Sequence, residues 1–533
     1  MTIQIDALVA EVAERSFANV GDLIHEYAVA YGARAALVCD GETIDYATLD
    51  ARVERFAAAL QQAGVRPREA VAICAAGSIA YVVAFLGALR AGVAVAPLAP
   101  ASTAQALAGM LANAEARLLF LDASVNEALD TLAQPPAMPR ILLDGAPGGE
   151  PLEAWLASAP AEARRVEAEP AWPFNIIYSS GTTGQPKGIV QSHGMRWAYA
   201  QRSRARGYTA QSRTLIATPL YSNTTLVSFF PTLSFGGTVV LMPKFDATRY
   251  LELAERERVT HTMLVPVQYQ RVMAHPDFDR YDLSSFKAKS CTSAPFAAAL
   301  KADIVRRWPG TLTEYYGMTE GGGTCELNAD QYPDKLHTVG RPAAGHDLRL
   351  IDAEGREVAQ GEIGEVVGHS PAMMTGYFRD PARTAEAEWY APDGKRFIRT
   401  GDVGRFDEDG FLTLLGRQKD MIISGGFNLY PSDLEQELIA HPAVQEAAVV
   451  GAASARWGET PVAFVVLRQG THEAANAPDE KTLLDWVNAR LGRMQRIAAL
   501  AFVDALPRSD IGKVLKRALR ERADALAAAH ERA

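Results

Sequence analysis

The stretch from Ala70 to Leu98 sets the first limit on what this chain can fold into. AVAICAA (Ala70–Ala76) is short and apolar, as a strand buried on both faces is. SIAYVVAFLGALRAG follows; it is too apolar all round for a surface helix, and Gly92 supplies a stop. VAVAPL comes directly after it as a second buried strand. Strand, buried helix, strand in this order predicts parallel pairing across a crossover, and therefore an α/β sheet. Upstream, Thr43–Gly64 starts extended and then places Leu49, Val53, Phe56, Ala57 and Leu60 on one helix face.

At 533 residues the chain exceeds what one core usually organises, so more than one domain is expected. Residues 134–172 read as surface loops, and further strands are expected at Thr214–Leu220, Thr238–Pro243 and Thr260–Pro266. From Gly361 onward the texture changes to short strands and tight turns. Beyond Arg417–Asp420 the chain restarts as an α+β unit of about 110 residues, enough for a small domain. There Ser432 and Glu435 have capping-box spacing, and Leu434 and Leu438 share a helix face. QEAAVVG and PVAFVVL read as strands and TLLDWVNARL as a helix. The expected fold is α/β: a large N-terminal domain of several subdomains over 1–418, then a small C-terminal α+β domain over 419–533.

Charge excludes one class of partner. The 53 basic and 63 acidic residues leave a net charge of −10, which argues against nucleic acid binding. Cys39, Cys74, Cys291 and Cys325 are scattered with no CxxC pair, so neither a zinc cluster nor a disulfide framework is indicated. A reduced, cytoplasmic protein is the simple expectation. MTIQIDALVAEVAERSF has no apolar signal core, and the run Ile79–Leu89 stops at Arg90, short of the ~20 residues that span a bilayer. No integral membrane contact is expected.

YSSGTTGQPKGIV (Tyr178–Val190) is rich in glycine and hydroxyls beside one lysine, a composition suited to phosphate. A Walker A loop needs glycine before its lysine and a helix after it. Here Pro186 precedes Lys187, removing a backbone donor and fixing φ near −65° where the nest needs freedom. The P-loop reading fails. A loop that wraps the end of a polyphosphate and an ordinary solvated turn both remain open on these residues alone.

The loop opens an ordered series: YSSGTTGQPKG (178–188), TSAP (292–295), YYGMTE (315–320), RTGD (399–402), GRQKDMIISGGFNLYP (416–431) and PRSDIGKVLKR (507–517). Through these motifs the chain resembles the adenylate-forming superfamily over nearly its whole length, about Thr43 to Arg520. That group includes acyl- and aryl-CoA ligases, luciferases and nonribosomal adenylation domains. The resemblance implies two steps, in which a carboxylate attacks the α-phosphate of ATP and a thiol then displaces AMP. ATP, Mg²⁺ and coenzyme A are the implied cofactor and co-substrates, with a small-molecule carboxylic acid.

Roles follow by resemblance, position by position. Ser179, Ser180, Gly181, Thr182, Thr183, Gly184 and Lys187 would hold the β- and γ-phosphates. Ser293, Ala294, Pro295 and Tyr316 would contact the nucleotide, with Tyr316 against adenine. Thr319 would donate to the α-phosphate and Glu320 would hold Mg²⁺. Asp402 would accept from both ribose hydroxyls, with Arg417 beside it. Lys513 would reach the carboxylate and α-phosphate during adenylation, and Lys419 would be the hinge about which a mobile small domain rotates. Ser424, Gly425, Gly426 and Phe427 would line the pantetheine tunnel, with Trp457 and Arg493 on the CoA nucleotide.

The acyl pocket would take Tyr221, Ser222, Asn223, Thr292, Gly317, Met318 and Gly321. It is here that the chain departs from the pattern of the family it resembles. Ser222 stands where the family often has a gating histidine, and Thr292-Ser293 replaces Gly-Gly, narrowing one wall. Gly321-Gly322-Gly323 should leave room on another wall. With no Arg or Lys in these wall motifs, an apolar monocarboxylate, fatty or aryl, is the expected acid. Two rival readings are an adenylation enzyme that loads a carrier-protein thiol and a non-catalytic nucleotide-binding scaffold. No carrier segment is seen after Arg520, which favours free CoA over the first. Intact Lys513, Glu320, Asp402 and Arg417 weigh against the second. The sequence leaves monomer and homodimer equally open.

Overall fold

A computed structural model of the chain describes residues 2–179, 187–424, 427–454, 457–468, 478–492, 495–509 and 512–530. Two compact units emerge: Met1–Asp347 with Gly368–Ile398, and Leu348–Val367 with Arg399–Ala533. Residues 399–418 therefore group with the second unit. No helix among the described residues is long and apolar enough to cross a membrane.

The strand–helix–strand stretch forms as its pattern predicts. Ala70–Cys74 and Ala94–Pro97 pair in parallel around the helix Ile79–Arg90, which Ser78 caps by accepting from the Tyr81 N–H. Gly87 faces Phe56 of the helix Tyr46–Gln62, and a Cβ there would come within 2.7 Å of the ring. Glycine is what lets these two helices approach.

Among the described residues the first unit contains a nine-stranded and an eight-stranded sheet. In the larger sheet Ala35–Cys39, Thr238–Leu241, Arg213–Ile216, His261–Leu264, Ala288–Cys291 and Thr311–Gly317 run parallel in that spatial order. Thr324–Asn328 and Arg341–Pro342 add antiparallel strands at one edge, and Glu42–Asp45 adds one at the other. The smaller sheet has a parallel centre, joined on one side by the antiparallel hairpin Pro173–Ser179/Lys187–Ser192. One apolar core takes side chains from both sheets, Leu37 and Val239 from one and Val71 and Ile73 from the other. Phe85, Phe174 and Phe230 meet there at ring separations of 4.8–6.0 Å. Each such side chain contributes roughly 1.5–3 kcal/mol on burial.

In the second unit, Ile422–Ser424, Phe427–Leu429, Val444–Ser454, Gly458–Leu467 and Ala499–Phe502 form a five-stranded sheet among the described residues. Alternation assigns its faces. Val449 and Val465 face the helices Pro431–Ile439 and Glu480–Asn488, while Val450 and Phe464 face Lys516–His530. The capping box expected at Ser432 and Glu435 is not formed. Pro431 already opens the helix, so Ser432 lies inside it and donates to the Leu415 carbonyl. Glu435 instead accepts from the Val449 N–H at 2.9 Å and from Lys516 Nζ at 2.7 Å, tying helix to sheet.

Candidate active site

In the first unit most of the motif residues stand at the carboxyl ends of parallel strands, where α/β sheets bind ligands. The strand Arg213–Ile216 leads to Tyr221, Ser222 and Asn223; Ala288–Cys291 leads to Thr292-Ser293-Ala294-Pro295; Thr311–Gly317 carries Tyr316 and Gly317 and leads to Met318, Thr319 and Glu320. Thr292 Oγ1 donates to the Tyr315 carbonyl at 2.8 Å, fixing the second of these turns to the third strand.

The glycine-rich loop joins two antiparallel strands, with Tyr178 opposite Gly188 and Ser179 opposite Lys187. It does not open into a helix, which removes the second requirement of a P-loop. Ser180, Gly181, Thr182, Thr183 and Gly184 lie outside the described residues, as do Gly425, Gly426 and Arg493; Ser179 and Phe427 are described in backbone only.

Glu320 is held by a residue that the motif reading missed. Tyr377 Oη donates to Glu320 Oε1 at 2.8 Å, and Lys187 Nζ lies 5.7 Å from the centre of the same ring. Burial and the neighbouring carboxylate both push the Tyr377 phenol above its ordinary range, so it stays a donor. The Met374 N–H donates to the Glu320 carbonyl at 2.8 Å, and Gly376–Tyr377 pairs with Ile189–Val190. The segment carrying Tyr377 is thus pinned to both the glutamate turn and the lysine strand. Its one sequence signal is the aromatic pair Tyr377-Phe378 in MTGYF, which no spacing argument singles out.

The glycines after Glu320 do not open a wall. A Cβ on Gly321 would lie 2.0 Å from the Ala372 carbonyl oxygen, and one on Gly322 would lie 2.7 Å from Ile398 Cβ. They permit close backbone approach, and the space expected at Gly321 is filled.

Where a histidine is common in the family, Ser222 is a buried N-cap to the helix Asn223–Ser234 with no side-chain capping bond. The neighbouring Thr224 Oγ1 and Ser293 Oγ lie 2.6 Å apart in hydrogen-bond contact. Ser293 has φ +84°, a left-handed conformation that suits glycine. Ser293→Ala keeps this strain and loses the hydroxyl pair, whereas Ser293→Gly loses the pair and relieves the strain. We expect the glycine variant to be about 1 kcal/mol more stable than the alanine variant, the reverse of the usual order. Denaturant midpoints of the two variants check this; alanine being the more stable would refute it.

In the second unit, Asp402 and Arg417 face each other across an antiparallel hairpin, with Arg417 Nε 3.0 Å from Asp402 Oδ1. Lys419 sits in a short turn whose carbonyl accepts from Arg520 at 3.2 Å, and Arg520 also pairs with Asp420 at 2.8 Å. Ser424 is buried opposite Gly458, and Trp457, next to that glycine, is 37% exposed. Lys513 is exposed on a turn at Gly512, where φ is +77°.

A cavity of ≈ 560 Å³ in the first unit is lined by Asp40, Gly41, Asp246, Arg249, Glu252 and Arg256 among others. It contains none of the motif residues and is no candidate for the chemistry.

Comparison with known proteins accounts for this arrangement. Residues 24–378 match the family model for AMP-binding enzymes, and 433–513 match that for the AMP-binding enzyme C-terminal domain. A feruloyl-CoA synthase from an Amycolatopsis species is 35% identical over 485 residues, covering 90% of this chain and 94% of that protein. A fatty acid–[acyl-carrier-protein] ligase from Streptomyces coeruleorubidus is 31% identical, covering 91% and 93% respectively. The ATP-bound structure of MatB from Rhodopseudomonas palustris superposes with a TM-score of 0.84 at 30% identity, covering 96% of this chain and 99% of that one. The chain belongs to the AMP-binding enzyme family and is an adenylate-forming acyl-CoA synthetase, carrying the family's C-terminal domain.

Proposed function

We propose that this enzyme activates an apolar monocarboxylic acid, fatty or aryl, and passes the acyl group to CoA. The carboxylate oxygen bonds to the α-phosphorus, the bond to the β-phosphate bridge breaks, and pyrophosphate leaves. The CoA thiol then loses its proton and attacks the acyl carbon, the bond to AMP breaks, and AMP departs. The first step brings anions together, so it depends on placed charge and donors rather than on a protein nucleophile.

The observation that carries this reading is the chain Lys187–Tyr377–Glu320, which sets a cation and an oriented carboxylate on one aromatic ring. One carboxylate plus substrate phosphates is the usual way Mg²⁺ is held, and Tyr377 occupies only one oxygen by its hydrogen bond. Glu320 therefore fits Mg²⁺, which would neutralise charge on the departing pyrophosphate. Thr319 would donate to the α-phosphate, Tyr316 would pack on adenine, and Asp402 with Arg417 would hold the ribose. The boundary at 418, a hinge at Lys419 and rotation of a mobile small domain belong to the same reading: Lys513 would serve the first step, and Ser424 with Trp457 the second. Four buried, unpaired thiols support the expected reducing, cytoplasmic setting.

The fatty acid–[acyl-carrier-protein] ligase relative supports a second reading, in which the acceptor is a carrier-protein thiol. The exposed Trp457 supports CoA, whose adenine it can stack. ATP–pyrophosphate exchange across a panel of alkyl and aryl acids, followed by thioester formation with CoA or loaded carrier protein, tests both. Exchange with apolar acids and transfer to CoA are expected. Exchange with none of the acids would remove the proposal, and transfer to carrier protein alone would select the second reading.

A further inference from the structure

Gln191 has no exposed surface, and its side-chain amide joins three segments of the first unit. Nε2 donates to the Thr319 carbonyl at 2.7 Å and to Asn223 Oδ1 at 3.3 Å. Oε1 accepts from Asn175 Nδ2 at 3.0 Å and from the Arg196 guanidinium. Arg196 Nε also donates to Asn175 Oδ1 at 2.9 Å, closing the network.

The polarity of this amide is fixed from both sides. A guanidinium has only donors, so Oε1 must face Arg196; a peptide carbonyl only accepts, so the NH₂ must face Thr319. The arrangement comes at a cost. Arg196 is only 4% exposed, and no carboxylate pairs with it among the described residues. Burial lowers its pKa to about 9 from the ordinary arginine range. An apolar side chain of similar volume would be the more stable choice for packing alone. What the guanidinium adds is direction: it decides which end of Gln191 points at Thr319.

We propose that Gln191, oriented by Arg196 and Asn175, is a positioning residue for adenylate formation. It locks the Thr319 backbone and Asn223, the first residue of the helix Asn223–Ser234, into one register. The α-phosphate donor and the start of the acyl-pocket helix then keep a fixed separation while carboxylate and phosphate come together. The inference rests on the reading of Thr319 as the α-phosphate contact.

Gln191→Glu separates positioning from folding. The new carboxylate pairs with Arg196 in place, but it donates to neither Thr319 nor Asn223 and sets an anion against the Thr319 carbonyl. The melting temperature should hold or rise. The kcat for ATP–pyrophosphate exchange should fall about 10-fold or more, as expected for a small misplacement of reacting groups. Thioester formation from preformed acyl-adenylate should be unchanged. Should that variant not fold, the triple variant Asn175→Leu, Gln191→Leu, Arg196→Met exchanges the whole polar network for apolar residues; it should fold and show the same loss. If the wild type exchanges pyrophosphate and the folded variants match it, this inference falls while the functional reading stands. If the wild type exchanges with no acid, both fall.

Discussion

Lys513→Ala is expected to lower ATP-dependent adenylate formation by about 10²-fold or more, and to leave thioester formation from preformed acyl-adenylate intact. The turn that presents Lys513 is built by other residues. The Ser509 N–H donates to the Lys513 carbonyl at 2.8 Å, and the Lys513 N–H donates to Ser509 Oγ at 3.2 Å. Arg508 donates to the Gly512 carbonyl at 2.7 Å and is itself held by Glu446 at 2.6 Å. Removing the exposed ammonium leaves that frame standing, so the loss is one of charge at the reacting centre. Lysine suits the task as a compact charge on a long stem that can reach two anions. A folding defect would depress both half-reactions, whereas loss of the α-phosphate contact depresses the first alone. Pyrophosphate exchange at the wild-type rate would rule the assignment out.

The sequence made the architecture legible because its strands are buried on both faces. Ala70–Cys74, Ala94–Pro97 and Thr238–Leu241 appear as continuous apolar runs, and sequential order then restricts how they pair. The motif residues were legible for a different reason: Thr319 and Ser293 sit in short motifs, and Asn223 beside another, through which the chain resembles a known family. What stayed hidden is every contact made between segments distant in the chain. Tyr377 is 57 residues from Glu320 and Gln191 is 128 residues from Thr319, so no local periodicity connects them. Glycines misled where their use was tertiary. Gly321 reads as open space in the sequence but sits against the Ala372 carbonyl in the fold. Ser432 misled in the opposite direction, because Pro431 can take the first helical position and moves the helix start upstream.

Glu320→Gln should cost adenylate formation about 10²-fold, again sparing the second half-reaction, and Lys187→Ala should cost less, about 10-fold. The ordering follows from what each side chain can do at the pyrophosphate. Glutamine keeps the shape of Glu320 and can still accept from Tyr377, so the pinned turn survives. It loses the negative charge that a divalent cation needs, and no group of three or more His, Cys, Asp or Glu side chains suited to a metal occurs among the described residues to replace it. Lys187, whose Nζ lies 5.7 Å from the centre of the Tyr377 ring, would act as a point charge, and the hydroxyls of Ser180, Thr182 and Thr183 would share its work. Its removal therefore takes away one contribution among several. Magnesium titrations divide the two variants further: Glu320→Gln should raise the Mg²⁺ concentration needed for half-maximal exchange, and Lys187→Ala should raise the KM for ATP instead. Equal losses in both half-reactions, or an unchanged Mg²⁺ requirement in Glu320→Gln, would dissociate these residues from pyrophosphate release and leave the Tyr377 contact as a purely structural tie.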